Sequence, residues 1–134
     1  MITSFYTALL ALLLILLIVN IARFRYGLKV GLGEGDGSAA HLTLKKAVRA
    51  HGNFIETVPL ALLLMMGLEY LSIAPLYLHM FGSLLVLSRI LHFYGLSKSD
   101  ETSAGRMSGM IITMLLLLIG ALTILTLFVK SWLG

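Results

Sequence analysis

Apolar positions fill this chain in four long blocks that follow neither the alternation of a strand nor the one-sided stripe of a soluble helix. The first, "MITSFYTALLALLLILLIVNIA", runs from Met1 to Ala22 without a charged residue. Three more lie at about 50–71, 76–96 and 107–129, each close to the ~20 residues that cross ~30 Å of hydrocarbon at 1.5 Å per residue. Only helices and closed barrels satisfy every backbone group in lipid, and Leu-rich, non-alternating blocks fit helices. The pattern predicts an all-α membrane protein, a four-transmembrane-helix bundle forming a single domain over residues 1–134. No basic residue precedes the first block. Asn20 and Ala22 do not make a small-x-small cleavage site, so this block is expected to stay as a span.

Polar punctuation between the blocks refines the elements. "GLGEGDGS", Gly31 to Ser38, reads as a flexible linker. It has glycines in alternation but no preceding strand, which a phosphate-binding loop requires. Ser38 is placed to cap a helix that starts outside the bilayer and runs through "AAHLTLKKAV" into the second span. Pro59 falls inside that helix and is expected to kink it, whereas Pro75 fits the first turn of the third span.

Composition agrees with this reading: 59% of the 134 residues are hydrophobic and 12% charged, about half the charged fraction of a soluble domain. Mean hydropathy is +1.00. With no cysteine, the chain has no disulfide and no thiol nucleophile of its own. The formal charge of +4 is concentrated in the loops, where it reads as membrane topology rather than as a nucleic-acid footprint. Arg23, Arg25, Lys29, Lys45, Lys46 and Arg49 lie between the first two blocks, against Glu34 and Asp36. Lys98 and Arg106 lie between the last two, against Asp100 and Glu101, while the link "SIAP" is uncharged. Excess Lys and Arg marks the cytoplasmic side, so both termini are expected outside and the polar loops inside.

The candidate chemistry gathers at that cytoplasmic level. In "RAHGNFIETVP", Arg49, Asn53 and Glu56 stand at i, i+4 and i+7 and share one helix face within roughly 60°, with Glu56 about 10 Å deeper than Arg49. His51 projects oppositely, and Gly52 beside the stripe would let a helix or ligand come close. Late in the third block, "RILHFYG" supplies Arg89 and His92 at i, i+3, then Tyr94. Ionised groups within a membrane cost a few kcal/mol, so these should face the interior and pair. A register-fixing bridge from Glu56 to Arg49 or Arg89 is one reading and a ligand site the other; polar groups at one depth on two spans favour the site. Arg23, Arg25 and Arg106 read alone as snorkelling or topogenic charges, His79 and Glu69 as interfacial groups, Tyr94 as an interfacial anchor and His41 as solvated. No spacing matches a metal site, and a Ser-His-Asp triad is excluded because Asp36 and Asp100 fall in loops.

These two motifs, in order on the second and third of four spans, resemble the MAPEG superfamily of membrane-associated proteins in eicosanoid and glutathione metabolism, and most nearly its small bacterial, uncharacterised branch. The resemblance covers essentially the whole chain. It implies a homotrimer in the bacterial inner membrane, with glutathione bound as co-substrate between neighbours near the cytoplasmic face, a small lipophilic acceptor arriving from membrane lipid, and no metal. By the same resemblance, Asn53 and Glu56 would hold glutathione's polar backbone, with Arg23, Arg49, Arg89, His92 and Tyr94 as further binding residues. Arg106, with Ser108 near it, would stabilise the thiolate.

The chain departs from the family pattern at four places. Gly52 stands where many eicosanoid-type members have an arginine, and Leu96 where they have a tyrosine. Met110 occupies a position that is often tyrosine, and Ser108 is two residues from Arg106 rather than adjacent. Two family readings follow: a glutathione transferase or peroxidase acting on lipophilic electrophiles or lipid hydroperoxides, and a ligand-binding protein of the same fold without turnover. A small proton-coupled transporter is a third possibility. It ranks lowest, because it would need an unpaired acid, whereas Glu56 has Arg49 on its own helix face and Arg89 at similar depth.

Overall fold

The computed structural model of the chain describes residues 1–98 and 103–133; Asp100 and Glu101, the acids of the third loop, lie outside the described residues. Four α-helices account for nearly all of them: α1 (Ile2–Leu28), α2 (Ala39–Tyr70), α3 (Pro75–Lys98) and α4 (Ala104–Leu133). Each is long and apolar enough to cross a membrane. The helices outrun the apolar blocks because backbone hydrogen bonding does not stop at the hydrocarbon boundary. α1 ends where Lys29 turns left-handed and returns its N–H to the Arg25 and Tyr26 carbonyls. Ser38 holds the N-cap position of α2, yet its hydroxyl meets His41 Nδ1 at 3.0 Å instead of capping the helix. α2 is continuous through Pro59, which lacks the N–H that would have met the Ile55 carbonyl. Pro75 opens α3, where a missing N–H costs nothing.

α2 and α3 form the centre of the bundle: α1 packs on both from one side and α4 on both from the other, while α1 and α4 do not meet among the described residues. The core between them is apolar, with Phe54, Val58, Ala61, Met65, Phe81, Leu85 and Leu116 all buried. Large side chains such as Leu12, Leu16, Leu118 and Leu125 stay outward and exposed. In water, an apolar surface of this extent would aggregate; in lipid it is the solvated face.

Without a hydrophobic drive between helices in a bilayer, association relies on close contact and buried hydrogen bonds. α3 and α4 achieve it through glycine. A Cβ on Gly109 would run into the Ser88 carbonyl and stand 2.8 Å from the His92 nitrogen, and one on Gly95 would run into the Arg106 backbone. At the far end, Glu69 of α2 accepts the Met1 ammonium and the N–H groups of Ile2 (2.6 Å) and Thr3 (2.9 Å). A carboxylate from α2 thus caps the start of α1, where unpaired N–H groups and the helix dipole favour negative charge. Nearby, the Tyr6 hydroxyl lies 3.1 Å from His79 Nδ1 and 2.9 Å from Ser83 Oγ, its ring filling the space that Gly82 leaves. Glu69 and His79, interfacial by sequence, join helices here.

The glycine contacts give a direct test. Gly109→Leu is expected to force α3 and α4 apart and cost about 1–3 kcal/mol or more, read as a lower unfolding temperature in a fixed detergent. Gly52→Ala, whose Cβ meets nothing within 4 Å, should leave that temperature unchanged.

Candidate functional site

Arg89 is the deepest charge in the bundle, 3% exposed. A guanidinium has five N–H donors, and here each has an acceptor. Nε donates to Ser88 Oγ (3.2 Å), Nη1 to Asn53 Oδ1 (2.6 Å) and Thr57 Oγ1 (3.2 Å), and Nη2 to the Gly109 carbonyl (3.1 Å) and Thr113 Oγ1. The acceptors come from α2, α3 and α4, and none is a carboxylate. The Gly109 carbonyl is reachable because that glycine lets the helices touch. Arg89 therefore keeps a positive charge in the interior with its hydrogen bonds complete and no counter-anion among the described residues.

Above this knot, towards the end of the bundle that carries the α1–α2 loop, lies a cleft of about 260 Å³. It is walled by Arg49, Gly52, Asn53 and Glu56 of α2, by His92 and Leu96 of α3, by Arg106 and Met110 of α4, and by Glu34 of the loop. Since Arg89 takes the Asn53 side-chain oxygen, the amide's N–H groups remain for the cleft. His92 is buried, with Nδ1 at 3.3 Å from the Arg106 carbonyl. Arg49 meets Glu34 (Nε to Oε1 3.3 Å). Glu56 is exposed and makes no hydrogen bond or ion pair among the described residues. The bridge expected from Glu56 to Arg49 or Arg89 is therefore absent: Glu34 takes the first arginine, and neutral acceptors take the second. Among the described residues no three His, Cys, Asp or Glu side chains converge as a metal would need.

The structure thus brings Arg49, Asn53, Glu56, His92 and Arg106 to one cleft and places Arg89 behind it. The other candidates stand apart. Tyr94 is 60% exposed, with the Lys98 ammonium 5.6 Å from its ring centre. Ser108 donates to the Gly105 carbonyl at 3.2 Å. Arg23 is exposed on α1, the helix that does not touch α4 among the described residues. Sequence reasoning passed over Thr57, Ser88 and Thr113, whose hydroxyls look unremarkable on apolar spans. Glu34 was hidden by its glycine-rich surroundings. The helical spacing of Thr57, four residues after Asn53 on the polar face, was the available signal.

The loop itself is folded. Arg25 donates to the carbonyls of Gly31 (3.3 Å) and Gly33 (3.2 Å), so it does more than snorkel. Beyond Glu34, Asp36 Oδ1 accepts from the Ser38 N–H (2.9 Å) and lies 2.5 Å from His41 Nδ1. The Ser38 N–H, then its hydroxyl and the His41 ring, hold the Asp36 carboxyl well below the usual carboxylate range. A depressed carboxyl stabilises the folded turn fully above its unfolded value of about 4 and loses that effect only as the pH falls further.

Fold and cleft together define a class: a four-helix integral membrane protein with an arginine-lined polar cleft sunk into one end of its bundle. The chain belongs to the MAPEG family, whose model matches residues 3–126. It is similar to the inner membrane protein YecN of Escherichia coli, found in two strains, at 34% identity over 95 residues; the match covers 71% of this chain and 70% of YecN.

The knot yields a test by unfolding temperature. Thr113→Val leaves one Arg89 N–H without an acceptor and is expected to cost about 1–3 kcal/mol. Arg89→Lys is also expected to destabilise, because three ammonium donors cannot replace a planar fork with five. Unchanged unfolding temperatures in both variants would rule out the structural role given to Arg89.

Proposed function

We propose that the cleft binds glutathione and that the protein is a glutathione transferase or peroxidase of the inner membrane, acting on lipophilic electrophiles or lipid hydroperoxides. The observation that carries this reading is the content of the cleft: two guanidiniums, an unpartnered carboxylate, amide donors and an imidazole in about 260 Å³. Glutathione offers two carboxylates, one ammonium and one thiol. Arg49 suits a carboxylate, and Glu56 suits the ammonium. The Asn53 amide and His92 are placed to bond the peptide groups. Arg89 sits behind Asn53 and acts through it, adding uncompensated positive charge beneath the ligand.

A cationic site lowers a thiol's pKa and raises the thiolate fraction, and the thiolate is the nucleophile. In conjugation, sulfur forms a bond to the electrophilic carbon as the leaving group departs. In peroxide reduction, two glutathiones give up two electrons and two protons and join through a disulfide bond, while the O–O bond breaks and the hydroperoxide becomes an alcohol and water. Arg106 is the residue assigned to the thiolate, and Ser108, two residues on, would assist only after release from the Gly105 carbonyl. The loop end is assigned to the cytoplasm by its Lys and Arg excess.

Arg23 enters this reading only through a second copy of the chain. A homotrimer with glutathione between subunits would bring a neighbour's α1, and with it Arg23, to the cleft. Tyr94, exposed on α3, would also find its place against a neighbour.

A second reading, binding without turnover, is favoured by a specific observation. Gly52, Leu96 and Met110, three positions at which this chain departs from the family motif, all line the cleft. The site therefore lacks a guanidinium and two phenols that other members would present there. A proton-coupled transporter gains from the unpaired Glu56. However, the cleft is confined to one end, and the buried side chains of Val58, Ala61, Met65, Phe81 and Leu85 seal the core beyond it. Uptake into proteoliposomes driven by a pH gradient, lost in Glu56→Gln, would revive that reading.

Two variants separate these readings by affinity and turnover. Glu56→Gln should weaken glutathione binding about tenfold or more, in line with about 1.5–3 kcal/mol for a hydrogen bond to a charged group. Gly52→Arg places a guanidinium in open space on the cleft wall and should tighten it. Thermal stabilisation by millimolar glutathione measures both, and the absence of any shift in the unsubstituted protein would end the glutathione reading. Binding without conjugation across a panel of electrophiles would select the second reading.

A further inference from the structure

Glu34 occupies a position that neither the family motifs nor the helices account for. It stands in the middle of Gly33-Glu34-Gly35, with φ of +80° at Gly33 and +90° at Gly35. L side chains avoid that region, so the reversal on each side of Glu34 is available to glycine. A Cβ on Gly35 would also collide with the His41 ring. Arg25 pins the loop before Glu34 through the Gly31 and Gly33 carbonyls. The turn formed by Asp36, Ser38 and His41 pins it afterwards. Held at both ends, the loop delivers a half-buried carboxylate into the cleft and onto Arg49.

We propose that Glu34 is a built-in competitor: its carboxylate takes the place of a ligand carboxylate on Arg49, and a carboxylate ligand enters by displacing it and opening the loop between Gly31 and Ser38. Charge and exposure support displacement over permanent pairing. Arg49 keeps 71% of its side chain exposed while bonded to Glu34, and an ion pair of that exposure is weak. A ligand carboxylate that adds a bond to Arg106 or the Asn53 amide replaces one exposed contact with several. Glu34 thereby sets specificity, because a neutral molecule has nothing to exchange for the carboxylate it would have to leave unpaired. The proposal rests on the reading of the cleft as a carboxylate site, not on glutathione in particular.

Amide hydrogen exchange over residues 31–38 and ligand affinity test this on the purified full chain, with glutarate as a thiol-free, amine-free dicarboxylate beside glutathione. In the unsubstituted protein, the bound dicarboxylate should speed exchange of the loop, and glutathione diethyl ester should not. Glu34→Gln should exchange quickly without ligand and bind both dicarboxylates about two- to fivefold more tightly, the range set by loss of an exposed ion pair. Unchanged loop exchange in Glu34→Gln, or affinity that stays level or falls, overturns the proposal, as does failure of both dicarboxylates to bind either protein. Glutarate acting as described while glutathione does not bind would support the displacement and overturn only the glutathione reading.

Discussion

A buried guanidinium with no acid beside it among the described residues sets the terms for this bundle. An ionised group at such depth costs at least a few kcal/mol unless its hydrogen bonds are met. Arg89 meets all five of its own by drawing on three helices. That requirement fixes how α2, α3 and α4 stand. The Gly109 carbonyl comes within reach only where α3 and α4 touch backbone to backbone. Thr113 and Ser88 must turn their hydroxyls inward, and Asn53 must turn its oxygen down. Keeping the charge leaves one arrangement in which it is satisfied.

The same arrangement makes the cleft. Asn53 is held by its oxygen and so shows donors outward. His92, one turn further along α3, is buried against the start of α4. The positive charge of Arg89 lies beneath, unneutralised. Arg49 and Arg106 add to it at the wall, and the free acid Glu56 breaks the symmetry. That distribution, with Glu34 of the loop as the second carboxylate on the wall, is what supports the proposed zwitterionic ligand. The far end of the molecule has a different character, with Glu69 capping α1 and Tyr6 bonded to α3. Those polar groups join helices, and among the described residues that end shows no comparable concentration of charge.

The α1–α2 loop joins the first two helices at the end of the bundle that holds the cleft. Its glycines reverse the backbone so that one carboxylate reaches Arg49, while Arg25 and the Asp36–His41 pair hold the two flanks. A flexible linker would carry no such geometry. The cleft is thus closed on one side by a surface segment and bounded on the others by helices.

Four spans, their helical character and the common face of Arg49, Asn53 and Glu56 follow from the sequence, because lipid admits few structures and a helix repeats at a fixed angle. The prolines and the Lys and Arg bias are equally local signals. Which groups would bond could not be read that way. Glu56 faced two plausible arginines along the chain, yet packing gave one of them to Glu34 and the other to Asn53, Thr57 and Thr113. Those partners are chosen by distance across helices, and hydroxyls on an apolar span carry no sign of it in sequence. Three of the four positions read as departures from the family pattern, Gly52, Leu96 and Met110, were visible as letters. Only the tertiary structure put all three on the wall of one cleft, because residues on three helices become neighbours only when the bundle closes around Arg89.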